Sequence, residues 1–293
     1  MKYKNSERVV NIIIKLLLIM TAFIMLYPLW YILIASVSLP EYVNKGDVIL
    51  LPKGFTLAGY DEVLKHKSIW TGYRNSIVYT VAAVVLDLIV QIPCAYALSR
   101  KNLPFRRGLN LLFIFTMYFN GGMIPKYLLI RSLGMIDSPW SVIVPGCVNV
   151  FNLIVAKNFF ESSIPESLYD AARIDGAGYT RFFAQIVLPL SPTIIAILVI
   201  YNLQNHWNAY LEPQMYLYSS NLYTLQQVIR NVTMSLDVTQ TESLSIEQVL
   251  ELSRRQQLLR YSVVVVSCAP LVVIYPFIQK YFIKGVMVGA VKG

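Results

Sequence analysis

Repeated stretches of about 20 residues with almost no charge decide the solvent in which this chain folds. A helix rises 1.5 Å per residue, so about 20 apolar residues cross the roughly 30 Å hydrocarbon core of a bilayer. Such runs lie at about 9–35, 75–98, 109–129, 140–160, 186–207 and 261–282. A soluble core takes up scattered apolar residues but not run after run of this length. The composition agrees: 14% of the 293 residues are charged, against about 25% in a soluble domain. The expected fold class is an all-α polytopic membrane protein with six transmembrane helices and the lipid bilayer as a partner. The first run is too long for the apolar region of a cleaved signal peptide and reads as a retained helix.

The formal net charge is +9. Its basic residues sit at helix ends rather than in one patch, which fits the lysine and arginine excess of cytoplasmic loops and speaks against a nucleic-acid partner. Arg100, Lys101, Arg106 and Arg107 crowd the link after the second run. Lys157, Arg173 and Arg181 lie between the fourth and fifth, and Lys280, Lys284 and Lys292 follow the sixth. With Lys2, Lys4 and Arg8, these put both termini in the cytoplasm. Residues 1–74 read as an N-terminal helix with its extracytoplasmic loop, and 75–293 as the main transmembrane domain.

Pro28, Pro93, Pro125, Pro145, Pro192, Pro270 and Pro276 fall within the runs and read as packing kinks. The three cysteines lie in apolar stretches without metal-ligand spacing and read as small buried hydrophobes. His66 and His206 have no Cys or carboxylate cluster beside them in sequence, so neither a metal nor another cofactor is expected. Asp87, inside the second run, is an expensive intramembrane charge, either functional or paired with a basic residue of a partner chain. Residues 244–259 show near-helical apolar spacing and read as an amphipathic helix in the longest loop. No constellation of catalytic residues is present, so an enzyme is not expected.

The loop after the fourth run is the most informative segment. It begins Pro165-Glu166, continues through Asp170, Ala171, Ala172, Ile174, Asp175, Gly176 and Gly178, and closes on Ile186, Leu188 and Pro189. Pro165 suits the first turn of a helix, and Glu166 and Asp170 suit its positive end. The pair Ala171-Ala172 offers a flat face, and Gly176 and Gly178 allow the chain to turn. A short helix outside the bilayer, bounded by glycines, reads as a docking element near 165–183 or as an ordinary interfacial helix.

The spacing of Asp170, Ala171, Ala172, Gly176, Ile186, Leu188 and Pro189 resembles the EAA loop of permease subunits in ATP-binding-cassette importers, with Asp170 where the family carries Glu. Glu166 is a possible substitute for that charge. The Ile174–Ala177 and Leu188–Pro192 segments, the Asn205–Asn208 segment and the ending 284–293 resemble the carbohydrate branch that includes the maltose permease MalG. The Phe119–Pro125 and Leu128–Gly134 segments are similar to the LplC/YtcP group. The resemblance implies the type I permease (MetI-like) fold and a role as half of a translocation path. It implies a separate ATP-binding subunit dimer that docks on Glu166, Asp170, Ala171, Ala172, Asp175, Gly176, Ile186, Leu188 and Pro189. It also implies a second, related permease subunit and an extracytoplasmic solute-binding protein. The solute would be a sugar or oligosaccharide, including uronic-acid types.

A sugar path needs amides for hydroxyls and aromatic faces for pyranose rings. Asn120, Asn149, Asn152, Tyr201, Asn202 and Gln204 lie at suitable depth, although each also suits an interhelical hydrogen bond. A permease for another solute is the alternative, since the EAA loop is shared across importers. An ion-coupled secondary transporter would show paired intramembrane acids and an internal repeat, whereas Asp87 stands alone and no repeat is visible.

Overall fold

A computed structural model describes residues 2–234, 245, 247, 253–254, 256–273 and 276. Its elements are helical, apart from one isolated bridge between Ser38 and Phe55. The first half comprises α1 (Lys2–Ser36), α2 (Pro40–Asn44), α3 (Ala58–Lys65), α4 (Lys67–Ser99), α5 (Arg106–Tyr118), α6 (Met123–Ser132) and α7 (Trp140–Ile143). It continues with α8 (Val150–Ser163), α9 (Glu166–Ile174) and α10 (Tyr179–Phe182), the last running into a π-helical turn, Phe183–Val187. Then follow α11 (Pro192–Asn208), α12 (Leu211–Tyr216), a 3-10 turn Ser220–Leu222, α13 (Leu225–Met234) and α14 (Gln256–Val273). The C-terminal residues 284–293 and most of the 244–259 segment lie outside the described residues.

Among the described residues, three helices are long and apolar enough to cross a membrane: Val9–Ser36 within α1, α4 and α14. A fourth arises if the helical pair Tyr179–Val187 and α11 counts as one span, bent by 85° at its break. Six transmembrane helices are expected from the sequence; three or four spans of that length are found among the described residues, and glycine and proline divide the other runs. The run at 109–129 divides into α5 and α6 because Gly122 takes φ +85, a left-handed conformation that side chains resist. The run at 140–160 divides at Pro145-Gly146, where Gly146 has φ +91. The fifth helix starts at Pro192 rather than near 186, since Pro189 and Pro192 cannot continue the hydrogen-bond ladder of the preceding turn. Pro28 and Pro93 sit inside unbroken helices, as kink-tolerant positions do.

The chain forms two compact units: Met1–Trp70 with Val228–Pro270, and Thr71–Gln227 with Leu271–Gly293. In the first, α1 exposes apolar side chains all round from Val9 to Leu29, as a helix whose solvent is lipid does. A small core forms at its far end, where Ile34, Ala35, Val43 and Val48 pack with Tyr31 and Tyr261. Ser36 Oγ and Tyr60 OH share a hydrogen bond of 2.7 Å, and Asn44 Nδ2 donates to Gln257 Oε1 at 2.7 Å. Gly59 lets α3 meet α14 closely: a Cβ there would stand 2.3 Å from Ser262 Oγ and 2.6 Å from the Leu258 carbonyl oxygen.

The second unit is built on α4, α8 and α11. Ile92, Ala95, Tyr96 and Leu98 of α4 pack with Leu153, Ala156 and Phe160 of α8 and with Ile194 and Leu198 of α11. At one end of this unit Asp137 clamps the loop after α12. Its carboxylate accepts from the Tyr218 N–H at 2.9 Å, from the Ser219 N–H at 2.8 Å and from the Ser219 hydroxyl. These bonds, the Ser219 hydroxyl foremost, hold its carboxyl below the usual carboxylate range.

Substituting Gly59→Ala should therefore destabilise the first unit by about 1–3 kcal/mol, because the new methyl meets backbone that cannot swing away. Thermal unfolding of the purified protein reads this directly, and an unchanged midpoint would show that α3 and α14 part without cost.

Candidate functional site

Two features stand at opposite ends of the second unit: a polar cleft and the loop that begins with α9. The cleft has a volume of about 710 Å³ and is lined from α4 by Ser76, Tyr79 and Thr80. The broken segment before α8 adds Pro145, Gly146 and Asn149, α8 adds Phe151 and Asn152, and α11 adds Tyr201, Gln204, Asn205 and His206. The break at Pro145-Gly146 is what opens this wall. It frees the chain to enter α8 through Asn149, whose Oδ1 accepts from the Asn152 N–H at 3.2 Å as an N-cap. The rings of Phe151 and Tyr201 meet edge to face at 6.2 Å. Glu212, also on the lining, is paired with Lys126 of α6.

Of the residues expected on a solute path, Asn149, Asn152, Tyr201 and Gln204 share this cleft. Asn202 stands behind it, almost wholly buried, with its Oδ1 accepting from Asn152 Nδ2 at 2.7 Å. Asn120 is elsewhere, exposed in the α5–α6 link, where its side chain accepts from the Gly122 N–H at 3.0 Å.

Beneath the cleft lies a polar seam in which Asn152 and Asn202 make the interhelical hydrogen bond their sequence positions suit, joined by Gln91 and His206, which sequence reasoning did not place there. Gln91, fully buried on α4, donates from Nε2 to the Cys147 carbonyl at 3.0 Å and accepts, at a long 3.5 Å, from Asn202 Nδ2. One turn away on both helices, His206 Nε2 donates to Asp87 Oδ2 at 2.9 Å. Asp87 thus finds a partner for Oδ2 within its own chain. The signal was present as two i, i+4 pairs, Asp87 with Gln91 and Asn202 with His206. Only the antiparallel packing of α4 on α11 turns them into matched rungs.

The other end is closed by α9. Pro165 occupies its N-cap, and the helix ends in a Schellman turn: the Gly176 N–H donates to the Arg173 carbonyl at 3.0 Å and the Ala177 N–H to the Ala172 carbonyl at 2.9 Å. Gly176 takes φ +77 to make that turn and has open space where a Cβ would stand. The inner face carries Tyr169 and Ala172 into the core formed with Tyr96, Phe160 and Phe182. Arg100, at the end of α4, lies over the rings of Tyr96 and Tyr169 at 5.8 and 5.0 Å.

The expected docking residues separate into two groups. Asp170, Ala171, Asp175 and Gly176 are exposed, as is Pro189. Ala172 is buried, and Ile186 and Leu188 pack half-buried against the same core. The pair Ala171-Ala172 is therefore not one flat face, because successive residues of a helix point about 100° apart. Glu166 accepts from Asn102 Nδ2 at 3.2 Å, while Asp170 makes no hydrogen bond or ion pair among the described residues. Ile174, not singled out as a docking residue from the sequence, is 88% exposed.

The model of the family described as "Binding-protein-dependent transport system inner membrane component" matches residues 68–288. The chain is 36% identical over 293 residues to the polygalacturonan/rhamnogalacturonan transport system permease protein YtcP of Bacillus subtilis (strain 168), covering 98% of this chain and 100% of that protein. It is 34% identical over 270 residues to protein LplC of the same organism, covering 92% and 90%. Among solved structures, a bacterial ABC transporter involved in the import of the acidic polysaccharide alginate contains a chain similar to this one. The TM-score is 0.84 at 34% identity, covering 94% of this chain and 98% of that one.

Replacing Asn202 by Leu should strand the Asn152 amide and remove a partner of Gln91 in a buried place, at a cost of about 1–3 kcal/mol. A lowered unfolding midpoint for Asn202→Leu, set beside a neutral change at exposed Asn120, is the expected pattern. Equal midpoints would deny the seam any part in stability.

Proposed function

Because the chain belongs to the family of binding-protein-dependent transport system inner membrane components, we propose that it forms half of the path by which an ATP-driven importer takes up a sugar or oligosaccharide, including uronic-acid types. It is a permease component, not an enzyme, and ATP is hydrolysed on a separate subunit. One observation carries the reading: the same three helices, α4, α8 and α11, line the cleft at one end and grip α9 at the other. From Thr80 to Tyr96 along α4 is about 24 Å at the rise of an α-helix. A movement imposed on α9 therefore reaches the cleft through continuous, close-packed helices.

The names of YtcP and of the alginate importer support a polysaccharide-derived, acidic solute. The cleft suits such a solute, with amides for hydroxyls and the rings of Tyr79, Phe151 and Tyr201 for sugar faces. Its expected partners are an ATP-binding subunit dimer, a second related permease and an extracytoplasmic binding protein. The basic link Arg100, Lys101, Arg106 and Arg107, with Arg100 over Tyr169 of α9, supports a cytoplasmic side for α9 and the termini, with the cleft open toward the binding protein.

On α9 the ATP-binding subunit would meet Asp170, Ala171, Ile174, Asp175 and Gly176, whereas Ala172, Ile186 and Leu188 hold the loop to the transmembrane core. The docking must differ between the two states of the ATPase, since only a differential contact shifts a conformational equilibrium.

Gly176→Val forces a branched side chain into a left-handed conformation, at about 1–2 kcal/mol or more. Gly176→Asn adopts that conformation more readily and meets only open space. In a reconstituted importer, Gly176→Val should lose uptake per ATP hydrolysed while Gly176→Asn keeps most of it. Ile174→Ser should reduce the amount of ATP-binding subunit that co-purifies. Wild-type coupling in Gly176→Val, together with wild-type co-purification in Ile174→Ser, would remove α9 from the docking surface.

A further inference from the structure

His206 and Asp87 have a geometry that packing alone does not require. His206 lines the cleft with a side chain 11% exposed, while Asp87 is 1% exposed in the wall behind it. The His206 ring uses Nε2 to donate to Asp87 Oδ2 at 2.9 Å. Its other nitrogen, Nδ1, has no partner among the described residues. Nor is it one of the buried polar atoms left without one, which are Asp87 Oδ1, Tyr96 OH and Trp207 Nε1. Nδ1 therefore reaches open space, and the cleft is the open space that His206 lines.

We propose that His206 is a solute-binding residue of the cleft, accepting a hydrogen bond from a sugar hydroxyl at Nδ1, and that Asp87 is the positioning residue that sets this polarity. This rests on the reading of the cleft as part of a sugar path. The two nitrogens of a neutral imidazole are unlike: one carries the proton and the other offers a lone pair, and a hydrogen bond to one decides the role of the other. A carboxylate can only accept, so Asp87 holds a proton on Nε2, and in the neutral ring proposed here Nδ1 keeps its lone pair toward the solute. It also fixes the plane of the ring. Asn202, one turn back on α11, is held by Asn152 and Gln91, so the helix that carries His206 cannot turn to present a different face. The cleft wall thus provides an acceptor of fixed direction next to Gln204, Asn205 and Tyr201. A polyhydroxy solute offers many donors and is read by where acceptors stand. The buried charge of Asp87, costly in a membrane segment, is retained because an uncharged apolar residue could not hold the ring.

The test is uptake by the complete importer reconstituted with its binding protein, using trigalacturonate and its uncharged counterpart galactotriose as probes. His206→Ala should raise KM roughly tenfold with Vmax retained, the effect of losing about one well-made hydrogen bond to solute. Asp87→Leu, which fills the space but frees the ring, should raise KM to a similar extent, and the double variant should add nothing further. Asp87→Asn keeps an oxygen that can accept from Nε2, so its KM should stay within about threefold of wild type. Should Asp87→Leu fail to assemble, His206→Cys in a cysteine-free background gives a second readout, thiol labelling in the cleft that either probe slows. Wild-type KM in His206→Ala, or labelling that the probes do not slow, removes His206 from the site. Additive effects of Asp87→Leu and His206→Ala, or an Asp87→Asn variant as impaired as Asp87→Leu, remove the positioning role. If the wild-type importer carries neither probe, the sugar path itself is wrong, and the hydroxyl acceptor falls with it.

Discussion

The second unit depends on a polar seam buried between its helices. Lipid tails are as apolar as leucine, so apolar contact alone gives transmembrane helices little reason to prefer one register over another. Gln91 on α4, Asn152 on α8, and Asn202 with His206 on α11 supply that preference. A slip of either partner helix by one residue would leave amides and the Asp87 carboxylate unpaired in a low-dielectric wall. The seam lies between the cleft and the apolar core that holds α9, so it sets the relative positions of the two functional ends.

The breaks in the apolar runs matter as much as the runs. An unbroken helix over 140–160 would present a closed wall. Pro145-Gly146 instead lets the chain enter α8 at Asn149, and the cleft forms beside that break. The 85° bend before α11 similarly turns the chain from the α9–α10 layer into the helix that carries Asn202 and His206. Irregular backbone at such places is tolerated where it lines a polar cavity or is covered by other helices. The helices that remain unbroken serve a different purpose. α4 carries Tyr79 and Thr80 at the cleft, Asp87 and Gln91 in the seam, and Tyr96 at the core that receives α9.

The short helix α9, proposed as the docking element, is both firmly held and exposed. Tyr169 and Ala172 anchor it, Arg100 lies over Tyr169, and the Schellman turn at Gly176 closes its end. Its outward side is left to Asp170, Ala171 and Ile174, which are exposed among the described residues. A rigid base with an exposed outer face suits transmission of force, since a loose helix would absorb the displacement it receives.

By itself the sequence determined the solvent and the fold class and marked out the loop proposed for docking, because these rest on local facts. Apolar run length measures the bilayer, lysine and arginine cluster at the ends of the runs, and the spacing from Asp170 to Pro189 is read along one short segment. It also brought forward Asn149, Asn152, Tyr201 and Gln204, since amides and a phenol in apolar runs are conspicuous. Only the tertiary structure decided which of these share a cavity, why Asn120 stands apart, and that Ala172, Ile186 and Leu188 turn into the core while Asp170, Ala171 and Ile174 stay exposed. It alone paired Asp87 with His206, residues 119 positions apart. The physical reason is that burial and hydrogen bonding depend on which faces of distant helices meet, and hydrophobic periodicity carries no record of that in a chain whose helices are apolar on every side.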